Sequence, residues 1–366
     1  ALFVLIHFGL LDRVTNFSDT LYVDISVGSP PLESPDGTRA VLVPSNQTKA
    51  PHIYNMLYGN ARYPKSLGNL SIISQAPRSF RSNAIVYLVQ KRHSAYRRDS
   101  YELLIRSLSL LRDNYLLQDF PNHLENVDLF LFHTGDFDLE DVIFLEGVLL
   151  GSMDYPLGFV KLVNLQNTPY WRLPHNLRND NISTWHVADL FPIGYRHMCR
   201  FFAITIWDFF KDLGSQDYIL RLDEDAFLLS PILYNIFDLM KEQEYNYGYR
   251  MCSYELTHHK FLPHWWERWH SQIRKKAQRW PIDWNLCGFY NNFFVASVSF
   301  FQSKSVQAFL KNEIDQRGFI YRQRYGDLIV HSLAVSAFSP PERIHRFLDF
   351  TYQHMTFDEG ECPLLW

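Results

Sequence analysis

The chain has 366 residues, of which 47% are hydrophobic and 20% charged, with a net charge of −4. That composition folds around a core and excludes an extended disordered protein. The charge balance, with no basic block, excludes broad nucleic-acid binding.

The opening run, ALFVLIHFGLL (1–11), is apolar but shorter than the roughly 20 residues that span a bilayer. It reads either as the remnant of a signal anchor or as a buried segment. Residues 12–82 keep no sustained period and are rich in Ser, Pro, Asn and Gly, as in SVGSPPLESPDG. They read as an N-terminal stem or wrapping arm with one strand near RAVLVPS, so that 1–82 is set apart from a domain at 83–366. The arm holds the sequons at Asn16, Asn46 and Asn69, and a fourth lies at Asn181. The cysteines Cys199, Cys252, Cys287 and Cys362 contain no CxxC pair, which argues against zinc and suits two disulfides. Sequons and cysteines together favour the secretory pathway.

From residue 83 the texture changes. NAIVYLVQ (83–90) predicts a buried strand, and SYELLIRSLSLLRDNYL predicts a helix, with Leu103, Leu104, Leu108 and Leu111 at helical spacing. VDLFLFHTGD predicts a second buried strand. Strand–helix–strand implies a parallel sheet flanked by helices. GFVKLVNLQ continues as a strand, YRHMCRFFAITIWDFFKDL as a helix and YILRLD as a strand. That last strand delivers Asp223, Glu224 and Asp225 at its carboxyl end, where open α/β sheets bind ligands.

Two readings of these acids compete: a solvated loop tip, or a D-x-D seat for a divalent cation. Two carboxylates one residue apart can face a hard cation, which completes its shell with substrate phosphates. Glu224, between them in an extended chain, is expected to face away. Arg221 could neutralise phosphate charge as a leaving group departs, or pair the acids structurally.

Five blocks bear on the choice: YRHMCRF (195–201), RLDED (221–225), YGYRMCSYE (247–255), WNLCGFYNNFFVAS (284–297) and RYGDLIVHSLA (324–334). In order and spacing they resemble the fungal α-1,2-mannosyltransferases of glycosyltransferase family 15, over about residues 84–366 including the closing ECP. The resemblance implies an α/β GT-A fold, Rossmann-like, with a mixed, mainly parallel central sheet flanked by helices. It implies a retaining hexosyltransferase that moves mannose from GDP-mannose to a mannose-containing glycan or glycoprotein acceptor, with Mn²⁺ or another divalent cation. It also implies the Golgi lumen and a type II membrane anchor in the full-length protein.

Carried over by position, Asp223 and His331 are the expected metal ligands, with Asp225 as a further one. Tyr195 and Arg221 would line the donor diphosphate and sugar as catalytic groups, and Glu255 could supply another carboxylate. Arg196, Asn292 and Asp327 are expected at the donor, Asp327 alternatively as a helix cap. His331 is a borderline ligand that suits Mn²⁺; its bland reading is a histidine inside the helix DLIVHSLAVSAF.

The chain departs from the family pattern at two places. The acid that follows the family's S-N-F run falls on Phe294, which can neither attack an anomeric carbon nor accept a proton. This leaves a front-side displacement assisted by the leaving phosphate, a role for another carboxylate such as Glu255, or a silent relative that binds a sugar nucleotide or glycan without transfer. The family's metal acid is usually Glu followed by Pro and Gly; here the shorter Asp223 is followed by Glu224 and Asp225, and Asp225 could make up the lost reach. Trp265, Trp266, Trp269, Trp280 and Trp284 form a run that reads as core or as an acceptor platform, and RKKAQR as a solvated helix face. The β1 end, LVQKRHS, does not follow the family closely, so GDP rather than UDP rests on the resemblance alone.

Overall fold

The computed structural model describes residues 80–91, 100–118, 124–150, 159–214, 216–254 and 287–355. The apolar opening, nearly all of the arm, Glu255, the tryptophan run, RKKAQR and Cys362 lie outside the described residues. The described ones fall in one compact unit.

Its centre is a seven-stranded sheet of order β3-β2-β1-β4-β7-β6-β8. β1 (Asn83–Leu88), β2 (Val127–His133), β3 (Val160–Asn164) and β4 (Tyr218–Leu222) run parallel. β7 (Cys287–Ser297) pairs antiparallel with both β4 and β6 (Tyr247–Tyr254), and β8 (Ile344–Arg346) closes the edge parallel to β6. The mixed, mainly parallel sheet flanked by helices is the expected architecture. The strands are apolar on both faces because both are covered. Ala84, Val86, Phe130 and Phe132 enter one core cluster, and Ile85, Tyr87, Leu129 and Leu131 enter the other.

Helix α1 (Ser100–Leu111) packs Leu104, Leu108 and Leu111 into the second cluster, and α2 (Leu139–Leu150) follows β2. The first cluster is covered by α3 (Ile193–Arg200) and α4 (Ile206–Leu213), which a π-helical turn at Phe201–Thr205 joins into the single helix read from the sequence. Gly214 ends α4 in the left-handed region, φ +78°, where a glycine meets no Cβ penalty. α5 (Ile236–Glu242) precedes β6, and α6 (Asp327–Phe338) lies against β7. Gly288 permits this approach: a Cβ there would stand 2.3 Å from Leu328 Cδ2 and 2.7 Å from Ser332 Oγ. The same contact carries a hydrogen bond, Phe289 N–H to Ser332 Oγ at 2.9 Å. The amino end of α6, with Asp327, is thereby held beside the middle of β7.

Cys287 is disulfide-bonded, whereas Cys199 is a buried thiol. The expectation of two disulfides therefore fails, since two would use all four cysteines. Among the described residues no helix is long and apolar enough to cross a membrane.

Candidate active site

β4 ends at Leu222 and the chain turns through the acids, closed by Ala226 N–H donating to the Asp223 carbonyl at 3.0 Å. It leaves as β5 (Ala226–Leu228), which pairs antiparallel with β9 (Tyr352–His354), Ala226 opposite His354. Met355 N–H donates to the Asp225 carbonyl at 3.0 Å. This small two-stranded sheet brings a histidine from the far end of the chain onto the acids.

Asp223, Asp225 and His354 each offer a ligand atom, and these lie within 4.8 Å of one another. His354 Nε2 is 3.0 Å from Asp225 Oδ1 and 3.9 Å from Asp223 Oδ2. Asn292 Nδ2 donates to Asp223 Oδ2 and stands 3.0 Å from His354 Nε2. Glu224 is outside this cluster.

Arg221 is 2% exposed and spans two carboxylates. Its Nε donates to Asp223 Oδ1 at 2.9 Å, one terminal nitrogen donates to Asp223 Oδ2 at 3.3 Å, and the other donates to Asp327 Oδ2. The guanidinium lies over the Phe202 ring, 3.5 Å from its centroid, a face that attracts a desolvated cation. Asp327 also accepts from Asn291 Nδ2 at 2.8 Å, and sits in the first turn of α6, where the helix dipole favours negative charge.

The charges follow from these contacts. Burial pushes the Asp223 carboxyl up, against the pull of Arg221. Burial also opposes the Asp225 charge, but His354 outweighs it and holds that carboxyl below its ordinary value. His354 is raised for the reciprocal reason: burial works against its cation, and Asp225 and Asp223 overcome it. Burial opposes the Asp327 charge too, and Arg221 outweighs it, so Asp327 stays ionised.

Both asparagines reach the site because β7 is irregular there. Tyr249 pairs with Phe294 and Met251 with Tyr290, so Arg250 alone on β6 faces three residues of β7. A bulge of this kind re-aims side chains; Asn291 turns to Asp327 and Asn292 to Asp223.

His331 is not in the cluster, which corrects its expected place. It is 0% exposed, with Nε2 3.0 Å from the Phe202 carbonyl and Nδ1 3.4 Å from the Tyr247 hydroxyl. Phe294, Phe301, Trp207 and Tyr247 surround its ring. α6 is buried on nearly every side, so a histidine in it meets core whichever way it points. Burial pushes His331 down to about 4 from 6.5. The unfolded chain therefore takes up a proton below 6.5 that the folded chain refuses, and stability falls as pH drops from 6.5 toward 4. Near pH 4.5 this amounts to about 2 to 3 kcal/mol. Urea unfolding of His331→Gln should show a pH dependence flatter than wild type by about that amount; identical pH profiles would refute the assignment.

Arg196 is also corrected. It is 1% exposed, and its guanidinium donates to the carbonyls of Phe191, His186 and Tyr321. It is spent on holding backbone rather than facing a donor. Tyr195 accepts from Arg324 at 2.7 Å, and Arg324 lies over the Phe191 ring, 4.0 Å from its centroid, with φ at +57°. The buried Cys199 thiol is driven up by burial and by the Asp327 charge.

Phe294 is 0% exposed and packs against Tyr247, its ring centroid 5.5 Å away. Sequence reasoning missed His354, Asn291, Tyr290 and Arg324. Arg324 stands within a block already singled out. His354 has only the alternation Tyr352-x-His354 to mark a strand, in a segment with no strong period.

Residues 172–365 match the family described as glycolipid 2-alpha-mannosyltransferase. The chain belongs to that family. Glycolipid 2-alpha-mannosyltransferase 1 of Candida albicans is 32% identical over 183 residues, covering 46% of this chain and 41% of that protein. The Saccharomyces cerevisiae glycolipid 2-alpha-mannosyltransferase is 31% identical over 185 residues, covering 46% and 40%. The matches thus span about two fifths of these relatives. The fold is similar to that of core-mannan synthase A (CmsA/Ktr4) from Aspergillus fumigatus, solved in an Mn/GDP form: TM-score 0.61 at 16% identity, over 93% of this chain and 91% of that one. The family's fold here is the GT-A fold.

Proposed function

We propose that the protein is a divalent-metal-dependent, retaining α-mannosyltransferase that uses GDP-mannose and a mannoside acceptor on a secretory glycan. Residues 83–366 would form its catalytic domain behind a stem at 1–82, in the Golgi lumen. The observation that carries this reading is the cluster of Asp223, Asp225 and His354 at the carboxyl end of β4, in a chain of a mannosyltransferase family.

The donor set suits Mn²⁺, since two carboxylates and an imidazole are hard and borderline ligands. A second sign is Tyr352: its buried hydroxyl has no hydrogen-bond partner among the described residues and feels the charges of Asp223 and Asp225. When bound, the cation would act as a Lewis acid on the departing diphosphate. The protein's own part is positional. Arg221 locks Asp223 and Asp327 together, so the carboxylate in the metal cluster and the one that opens α6 keep a fixed spacing. Asp327, ionised and held by Arg221 and Asn291, can accept from a sugar hydroxyl. Tyr195 and Arg324 offer a hydroxyl and a positive charge to a phosphate oxygen.

A silent binder is the second reading, favoured by Phe294 at the position of the family acid. Incubation with GDP-mannose, Mn²⁺ and a mannoside should release GDP and extend the acceptor, and UDP-sugars should fail. Donor binding without turnover on any acceptor would select the silent reading.

A further inference from the structure

β9 brings His354 to the acids, but a three-residue strand does not fix how its ring is turned. β7 supplies that restraint. The Tyr290 hydroxyl lies 2.8 Å from Nδ1 of His354, and the two rings meet edge-on with centroids 5.5 Å apart at 73°. Two residues along the same strand, Asn292 stands 3.0 Å from the other ring nitrogen, Nε2. The imidazole is thus gripped at both nitrogens, with Nε2 turned to Asp225 and Asp223.

We propose that Tyr290 is a positioning residue for the metal centre: its hydroxyl accepts the Nδ1 proton of His354 and so leaves Nε2 as the ligating nitrogen. The inference rests on the reading that a divalent cation binds Asp223, Asp225 and His354. A histidine ligand needs a lone pair at the metal and carries its proton on the other nitrogen, and the partner of that second nitrogen decides which is which. A phenol oxygen can accept this proton. Without such a partner the ring is free to turn and to exchange tautomers, and the fraction presenting Nε2 as a lone pair falls. Tyr290 also packs against both core clusters, so the hydrogen bond has to be separated from the packing.

Titration of the donor-free full chain with Mn²⁺, read from the electron paramagnetic resonance of free Mn²⁺, makes that separation. Tyr290→Phe keeps the ring and loses the hydroxyl; Tyr290→Gln loses the ring and keeps an acceptor. Wild type should bind, Asp223→Asn should not, and Tyr290→Phe should bind about 10- to 100-fold more weakly than wild type. Tyr290→Gln should bind more tightly than Tyr290→Phe while unfolding at a lower temperature. A packing role predicts the reverse order of affinity and overturns the proposal, as does a Tyr290→Phe affinity within about twofold of wild type. If wild type itself takes up no Mn²⁺, the metal reading falls and Tyr290's role with it. If only the Tyr290 variants match wild type, the metal reading stands and the positioning role alone is refuted.

Discussion

Asp223→Asn should abolish Mn²⁺-dependent mannosyl transfer, lowering it by roughly 10³-fold or more, because a lost metal ligand removes several kcal/mol of charge stabilisation from the transition state. His354→Ala should do the same, while His331→Gln should bind the metal like wild type. That contrast is the strongest test of the site, since it sets a histidine brought in by a three-residue strand against one inside a family block. The metal-free Asp223→Asn protein should melt within a few degrees of wild type. Burial raises the Asp223 carboxyl in the folded state, so its charge at neutral pH burdens the fold, and an amide there still accepts from Arg221. A Tm that collapsed together with activity would make Asp223 a structural acid. Asp225→Asn should weaken metal binding about 10- to 100-fold; unchanged affinity would reduce Asp225 to a partner of His354. Metal affinity should also rise with pH through the raised His354 value, because the cation must displace that proton, and a Mn²⁺ affinity of the wild type that did not change with pH would refute this.

The layers of the fold were legible in the sequence because their signals are local. Runs such as VDLFLFH, apolar at every position, announce strands covered on both faces, and the leucines of α1 repeat at helical spacing. The D-x-D was legible as a strand-end feature for the same reason. His354 was not, because it depends on β5 pairing with β9 across more than a hundred residues, and strands of three residues carry almost no period. His331 misled for a complementary reason: a block of residues can persist around a histidine whose own surroundings are entirely core. Arg196 shows the same limit, since nothing local says that a guanidinium will be consumed by three carbonyls. Asn291 and Asn292 are adjacent, so simple alternation would send one of them away from the site. Only the bulge opposite Arg250 lets both arrive.

Phe294→Glu should lower stability by at least about 3 kcal/mol and should not raise transfer. A buried phenyl ring exchanged for a smaller side chain already costs about 3 kcal/mol or more, and a carboxylate taken out of water costs several more unless paired. Phe294 is fully buried among Tyr247, His331 and Trp207. It lies opposite Arg221 in the β4–β7 register, but that guanidinium is already divided between Asp223 and Asp327. His331, its ring centroid 5.0 Å from that of Phe294, offers no charge either, because burial holds its imidazole neutral. Phe294→Gln, of similar shape and without charge, separates the two costs, and urea unfolding of both variants measures them. If Phe294→Glu instead raised turnover with GDP-mannose, an acid at this position would be catalytic and the natural chain a weakened enzyme. Without that gain, no covalent sugar intermediate can form through residue 294. On the proposed retaining reading, displacement on one face of the sugar would be a route open to the chain. The leaving diphosphate would then take the acceptor's proton, with Asp327 and Arg221 holding the geometry in which this happens.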